Sequence, residues 1–206
     1  MGSCGCSTRT LIFALFGPPG CGKGTQATMI KERLGYVHVS TGDMFRNAIA
    51  RQDPIALQMQ EYMKRGDLVP DEIIRDMLQV ELGALLAQSQ RPKGIILDGF
   101  PRTLKQADLL GEIMVKLKLQ FTGVISLEVP EEMLVQRLLK RGTGRPDDKE
   151  DVIRERMKVY YEKTRPLEEY YAKHNALNTI NGVGTIEEIF ERITPVVRSW
   201  ETNSPC

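Results

Sequence analysis

The run Leu11-Ile12-Phe13-Ala14-Leu15-Phe16, followed without a break by Gly17-Pro18-Pro19-Gly20-Cys21-Gly22-Lys23-Gly24-Thr25, decides how this chain folds. Consecutive apolar residues of this length suit a strand buried on both faces, the kind found in parallel sheets. The glycines that follow let the chain turn tightly and bring its amides close to an anion. A helical pattern from Gly24 to Leu34 then directs its positive N-terminal end at the same point, and Lys23 adds a mobile charge. Strand, glycine-rich turn and helix together make a cradle for polyphosphate. One detail departs from the common GxxxxGK[ST] pattern: Gly24 takes the hydroxyl position and Thr25 comes one residue late.

Outward from this segment, four more stretches read as buried parallel strands: Tyr36 to Val39, Gly94 to Leu97, Thr122 to Glu128, and Leu177 to Ile180. Helical patterns separate them: pieces from about Met44 to Gln88, Thr103 to Lys118, Glu131 to Lys140, Lys149 to Tyr171, and Ile186 to Ser199. The alternation predicts an α/β, three-layer P-loop fold: a five-stranded parallel sheet flanked by helices. In such sheets ligands gather beyond the carboxyl ends of the strands. The glycine loop, Ser40-Thr41-Gly42-Asp43 and Asp98-Gly99-Phe100-Pro101-Arg102 all fall there. Two stretches break the alternation. Short helical pieces punctuated by Pro54, Gly66 and Pro70 suggest an inserted helical flap over 40–69, and RGTGRPDD, within 140–148, suggests a short, exposed cover.

Composition sets outer limits. A chain of 206 residues with 41% hydrophobic content fills one core, expected over 10–199 with tails at 1–9 and 200–206. With 28 basic and 27 acidic residues the net charge is +1, so no general attraction to nucleic acid is implied. No apolar run approaches the roughly 20 residues that cross a bilayer. Cysteines at 4, 6, 21 and 206 form neither a disulfide framework nor paired zinc motifs, which fits a reducing, cytoplasmic setting.

Chemistry follows from what is scarce and what is clustered. Only His38 and His174 are present, and no GxSxG elbow or CxxC pair occurs, so triad catalysis is disfavoured. Phosphoryl transfer asks instead for positioning and for cations around the moving group. The suspicious segments supply Lys23, Arg46, Arg102, Arg137, Arg141, Arg145 and Arg156. Guanidinium groups grip phosphate oxygens bidentately, which a lysine cannot do. Asp98 ends an apolar run, so its carboxylate should emerge at a strand tip near the loop and act on Mg²⁺ through water, with no direct protein ligand to the metal.

GPPGCGKGT, STGDMFR, GDLVP, DGFPRTLKQ, RLLKRG, GRPDD and VIRERMKVYYEKTRPL, in this order, resemble the adenylate kinases, the nucleoside monophosphate kinases that interconvert ATP plus AMP with two ADP. The resemblance covers residues 10 to about 199 and accounts for Gly24, since that family's loop is of the GKGT type. It implies that Gly20, Cys21, Gly22, Lys23, Gly24 and Thr25 hold the ATP phosphates, with Arg141 facing ATP and Gly184 approaching its adenine. It implies an AMP site formed by Thr41, Arg46, Asp67, Leu68 and Val69, with Gly99, Phe100, Pro101 and Arg102 around the AMP phosphate. Arg145 and Arg156 would reach the phosphoryl groups from the cover side, and Gln106 would pair with adenine. The related uridylate/cytidylate kinases carry asparagine at that place, so adenine is favoured and a UMP/CMP kinase is the alternative. The cover is too short for a long lid or a zinc site.

MGSCGCSTRT has no place in that fold. Gly2 with Cys4 and Cys6 resembles a myristoylation and palmitoylation signal, in which cysteine acylation would supply the second anchor that a single myristoyl chain needs. A regulatory GTPase is disfavoured by the lack of an NKxD motif, and Asp108-Leu109-Leu110-Gly111 matches DxxG only within a helical pattern. No segment suggests association, so a monomer is expected.

Overall fold

A computed structural model describes residues 10–139 and 149–203. Its strands are β1 (Leu11–Phe16), β2 (Val37–Ser40), β3 (Gly94–Asp98), β4 (Phe121–Glu128) and β5 (Leu177–Asn181). They form one parallel sheet in the order β2-β3-β1-β4-β5. Every residue of β1 is buried. Ile12, Ala14 and Phe16 enter one core, while Leu11, Phe13 and Leu15 enter another on the opposite face. Both faces are covered, which is why the run carries no polar alternation.

The first core is closed by α2 (Thr41–Ala50), α3 (Pro54–Arg65), α4 (Asp71–Leu86), α5 (Leu104–Lys116) and α8 (Pro166–Lys173), through side chains such as Phe45, Met59, Leu78, Leu110 and Leu167. The second is closed by α1 (Lys23–Leu34) and α9 (Ile186–Asn203), with Leu134 from α6 (Glu131–Leu139) and Met157 from α7 (Glu150–Val159). The expected punctuation between strands two and three is present. Pro54 opens α3 and Pro70 immediately precedes α4, positions where a missing N–H and a fixed φ cost nothing.

Two elements differ from the sequence expectation. The single helix expected over 149–171 is divided: α7 ends at Val159, a wide turn occupies Tyr160–Thr164, and α8 starts at Pro166. Pro166 has no N–H and its ring would strike a carbonyl one turn back. The backbone widens instead, and Arg165 N–H bonds to the Tyr160 carbonyl at 2.9 Å. The last helix runs past Ser199 to Asn203. Trp200 lies 5.3 Å from Phe13 between ring centres, and Glu201 accepts from Tyr36 Oη at 2.8 Å and pairs with Lys93 at 2.7 Å.

Candidate active site

The strand register places the site. Leu15 and Ser40 are both level with Asp98, so the chains leaving β1, β2 and β3 emerge side by side at one edge of the sheet. Between them opens a cleft of about 550 Å³, lined by Gly20, Lys23, Thr25, Arg46, Leu68, Asp98, Gly99, Arg102 and Arg156 among others.

The loop after β1 needs its glycines. Gly17, Gly20 and Gly22 have φ of 133°, 84° and 102°, a region that side chains rarely adopt. A Cβ on Gly20 would stand 2.9 Å from the Leu134 carbonyl oxygen, and one on Gly17 would stand 2.7 Å from Cys21 Sγ. Cys21 is fully buried in the second core, so its side chain pegs the loop to the protein body. Lys23 folds back on the loop, its Nζ donating to the carbonyls of Gly17 at 2.6 Å and Pro18 at 3.1 Å. Helix α1 begins here without a side-chain cap or an acid in its first turn. By contrast, α2 and α5 are capped by Ser40 and Thr103. The uncapped amides of α1 are those available to an anion.

At the tip of β3 the Asp98 carboxylate faces the loop, 3.8 Å from where a Cβ on Gly24 would be. His38 Nε2 lies 3.3 Å from Asp98 Oδ2. Burial pushes this acid up, but the His38 hydrogen bond and the charges of Lys23, His38 and Arg102 outweigh it and hold it below the usual carboxylate range. Gly99, with φ 85°, allows two close approaches: a Cβ there would be 2.6 Å from Thr41 Oγ1 and 2.8 Å from an Arg102 terminal nitrogen. The Thr41 hydroxyl donates to the Gly99 carbonyl at 3.1 Å, and Arg102 Nε donates to the same oxygen at 2.8 Å.

The remaining expected residues divide. Pro101 lines the cleft, whereas Phe100 and Val69 are buried in the first core. Gln106 is also buried, with its amide bonded to Arg102 N–H and Asp71. Arg46 pairs with Asp43, and its guanidinium helps hold that carboxylate low against the upward push of burial. Asp67 is exposed and pairs with Arg65 at 3.0 Å. Arg137 is not part of the cleft lining; its guanidinium nitrogens lie 3.4 Å from the Gly182 carbonyl, two residues before Gly184. Arg192 bonds the carbonyls of Asn181 and Val183 at 2.8 and 2.6 Å, so two arginines hold the turn that carries Gly184. Arg141, Arg145 and the 140–148 cover lie outside the described residues, as do Gly2, Cys4 and Cys6.

Ser40 and Asp43 line the cleft with the segment expected there, whereas sequence reading passed over His38, Tyr160 and Thr164. His38 and Ser40 share one face of β2 by its period of two, so polar residues there were a usable signal. Nothing local marks Tyr160. Its hydroxyl donates to Glu168 Oε1 at 3.1 Å, an oxygen that also accepts from Ser126 Oγ at 2.6 Å, and burial together with Glu168 pushes the phenol up.

Among the described residues no group of three or more His, Cys, Asp or Glu could hold a metal ion, and no helix is long and apolar enough to cross a membrane. The sequence profile described as "Adenylate kinase" matches residues 15–176. An adenylate kinase of Thermus thermophilus is 43% identical over 187 residues, covering 90% of this chain and 95% of that protein. One of Mycobacteroides abscessus is 47% identical over 178 residues, 86% of this chain and 94% of its own. One of Flavobacterium psychrophilum is 44% identical over 188 residues, 90% and 97%. With a glycine loop, an open helix start and converging guanidinium groups at one sheet edge, and with relatives matched over nearly their whole length, this chain belongs to the adenylate kinase family of nucleoside monophosphate kinases.

Proposed function

We propose that this chain moves the terminal phosphoryl group of Mg-ATP to AMP and back, giving two ADP, by in-line transfer without a covalent enzyme intermediate. The observation that carries this reading is a single cleft lined by Lys23 and by arginines from three other segments: Arg46 on α2, Arg102 after β3 and Arg156 on α7. One nucleotide needs one phosphate cradle. Separate guanidinium groups facing that cradle suit a second phosphate and the charge that develops between the two. Residues 20–25 then hold the ATP phosphates, with Gly184 near its base. Thr41, Arg46 and 67–69 line the AMP side, 99–102 hold the AMP phosphate, and Gln106 meets its adenine. Arg141, Arg145 and Arg156 balance charge on the transferring group, while Arg137, expected among them from the sequence, instead supports the turn that carries Gly184.

One carboxylate facing the loop, in no group of three or more possible ligands among the described residues, suits an ion that keeps most of its own water, so Asp98 would hold Mg²⁺ through water. The ion, carried with ATP, neutralises phosphate charge when bound. Closure of 40–69 and of the 140–148 cover over the cleft excludes water and prevents idle ATP hydrolysis. A reducing cytoplasmic setting fits four scattered cysteines, a monomer fits a sequence without an association segment, and acylation at Gly2, Cys4 and Cys6 would tether it to a membrane. An unmodified N-terminus and free Cys4 in the mass spectrum of the native protein rule the tether out.

The deciding experiment is a coupled assay with AMP, CMP, UMP and GMP as acceptors and ATP or GTP as donors. AMP with ATP should lead, and a preference for CMP would overturn the reading. In the same assay Lys23→Met, Arg102→Ala and Arg141→Ala should each lose about 10² to 10⁴ in turnover, the range for removing a preorganised donor to transition-state charge.

A further inference from the structure

We infer that Asp71 helps choose the acceptor base by fixing which way round the Gln106 amide faces. This rests on the reading above in which Gln106 meets the base of AMP. The two ends of a glutamine amide have nearly the same shape, so packing alone does not orient them; their partners do. Here Gln106 is fully buried. Its Oε1 accepts from Arg102 N–H at 2.7 Å, and its Nε2 donates to Asp71 Oδ1 at 2.8 Å. A backbone N–H only donates and a carboxylate only accepts, so one orientation satisfies both partners. Turning the amide over would set oxygen against oxygen and N–H against N–H.

Asp71 is itself held in place. It is the first residue of α4, and its other oxygen lies 3.3 Å from Lys105 Nζ, beside Gln106 on α5. The chain of bonds from Lys105 through Asp71 and Gln106 ends at Arg102, which lines the cleft.

With one bond made at each end, the amide keeps one lone pair on oxygen and one N–H on nitrogen. Adenine offers a 6-amino donor beside the N1 acceptor, whereas guanine offers an O6 acceptor beside the N1–H donor. At the same two positions the bases are therefore opposite in sense. An amide free to turn over could serve both, and one locked between Arg102 N–H and Asp71 serves adenine. The amide is covered in this structure, so contact with a base requires it to be uncovered as the acceptor binds.

The test is kcat/KM for AMP and for GMP at saturating ATP, measured for the parent protein, Asp71→Asn, Asp71→Ser and Gln106→Ala, with a melting curve for each. Asparagine can accept or donate, and serine likewise, so both drop the preference at the nitrogen end and leave one of the two orienting bonds, that from Arg102 N–H. The AMP:GMP ratio should fall roughly tenfold or more through KM for the acceptor, while KM for ATP stays within about twofold. If both Asp71 variants lower AMP and GMP use equally while Gln106→Ala erases discrimination, Asp71 is structural and the inference fails alone. If Gln106→Ala leaves the ratio intact, the reading of Gln106 fails and takes the inference with it.

Discussion

Asp98 sits among opposing pressures at the end of β3: burial favours its neutral form, while His38, Lys23 and Arg102 favour its charge and prevail. A carboxyl held lower in the folded than in the unfolded protein adds stability that is full above its unfolded pKa of about 3.9 and is lost as pH falls through the lower folded value. Asp98→Asn keeps the shape and lacks the charge. The gap in urea unfolding free energy between parent and variant should therefore shrink between about pH 6 and pH 3; a constant gap would show that the charge contributes nothing. At this scale the sequence was legible where chemistry is contiguous. The glycine loop and DGFPR carry their meaning in spacing, and Lys23, Asp98, Arg102 and Arg156 meet at the cleft. It was illegible where partners are remote. Gln106 reads as a base-contacting amide, but its bond to Asp71, 35 positions away, follows no pattern in the chain, and neither does the His38 to Asp98 contact, 60 positions apart.

The wide turn Tyr160–Thr164 joins two functional segments. Its first residue reaches Glu168 and, through it, Ser126 on β4; its last donates from Thr164 Oγ1 to the Arg102 carbonyl at 2.9 Å. Arg156 lies one helical turn upstream on α7, so the turn sets the distance between the two arginines. Thr164→Val keeps the shape and removes the bond. It should cost about 1 kcal/mol in denaturant unfolding and raise KM for AMP more than KM for ATP. Equal changes in the two constants would reduce Thr164 to a structural tie. Strands β1, β3 and β4 were legible because burial on both faces forces apolar runs. This turn was not, because 149–171 keeps helical periodicity on both sides of it and Pro166 alone marks the break.

Across the molecule, the end of the last helix braces the beginning of the first strand. Trp200 lies against Phe13 and stands 3.1 Å from where a Cβ on Gly123 would be, while Glu201 ties to Tyr36 and Lys93. Trp200 is only half-buried, so Trp200→Ala should cost roughly 2 kcal/mol in unfolding free energy, below the 3–5 kcal/mol typical of a fully buried aromatic. Catalytic constants should change little, since these contacts lie at the opposite edge of the sheet from the cleft. The expected helix end at Ser199 missed this brace: hydrophobic periodicity fades near a terminus, and one aromatic contact fixes what the pattern does not.

The central place of β1 has a further consequence. Its backbone is bonded to a neighbour on each side and both its faces are covered, so its amides meet solvent only when the sheet itself opens. The glycine loop is therefore anchored to a strand whose amides are protected on every side. It serves as the fixed datum of the molecule, and adjustments made when nucleotides arrive and leave fall on the other segments around the cleft.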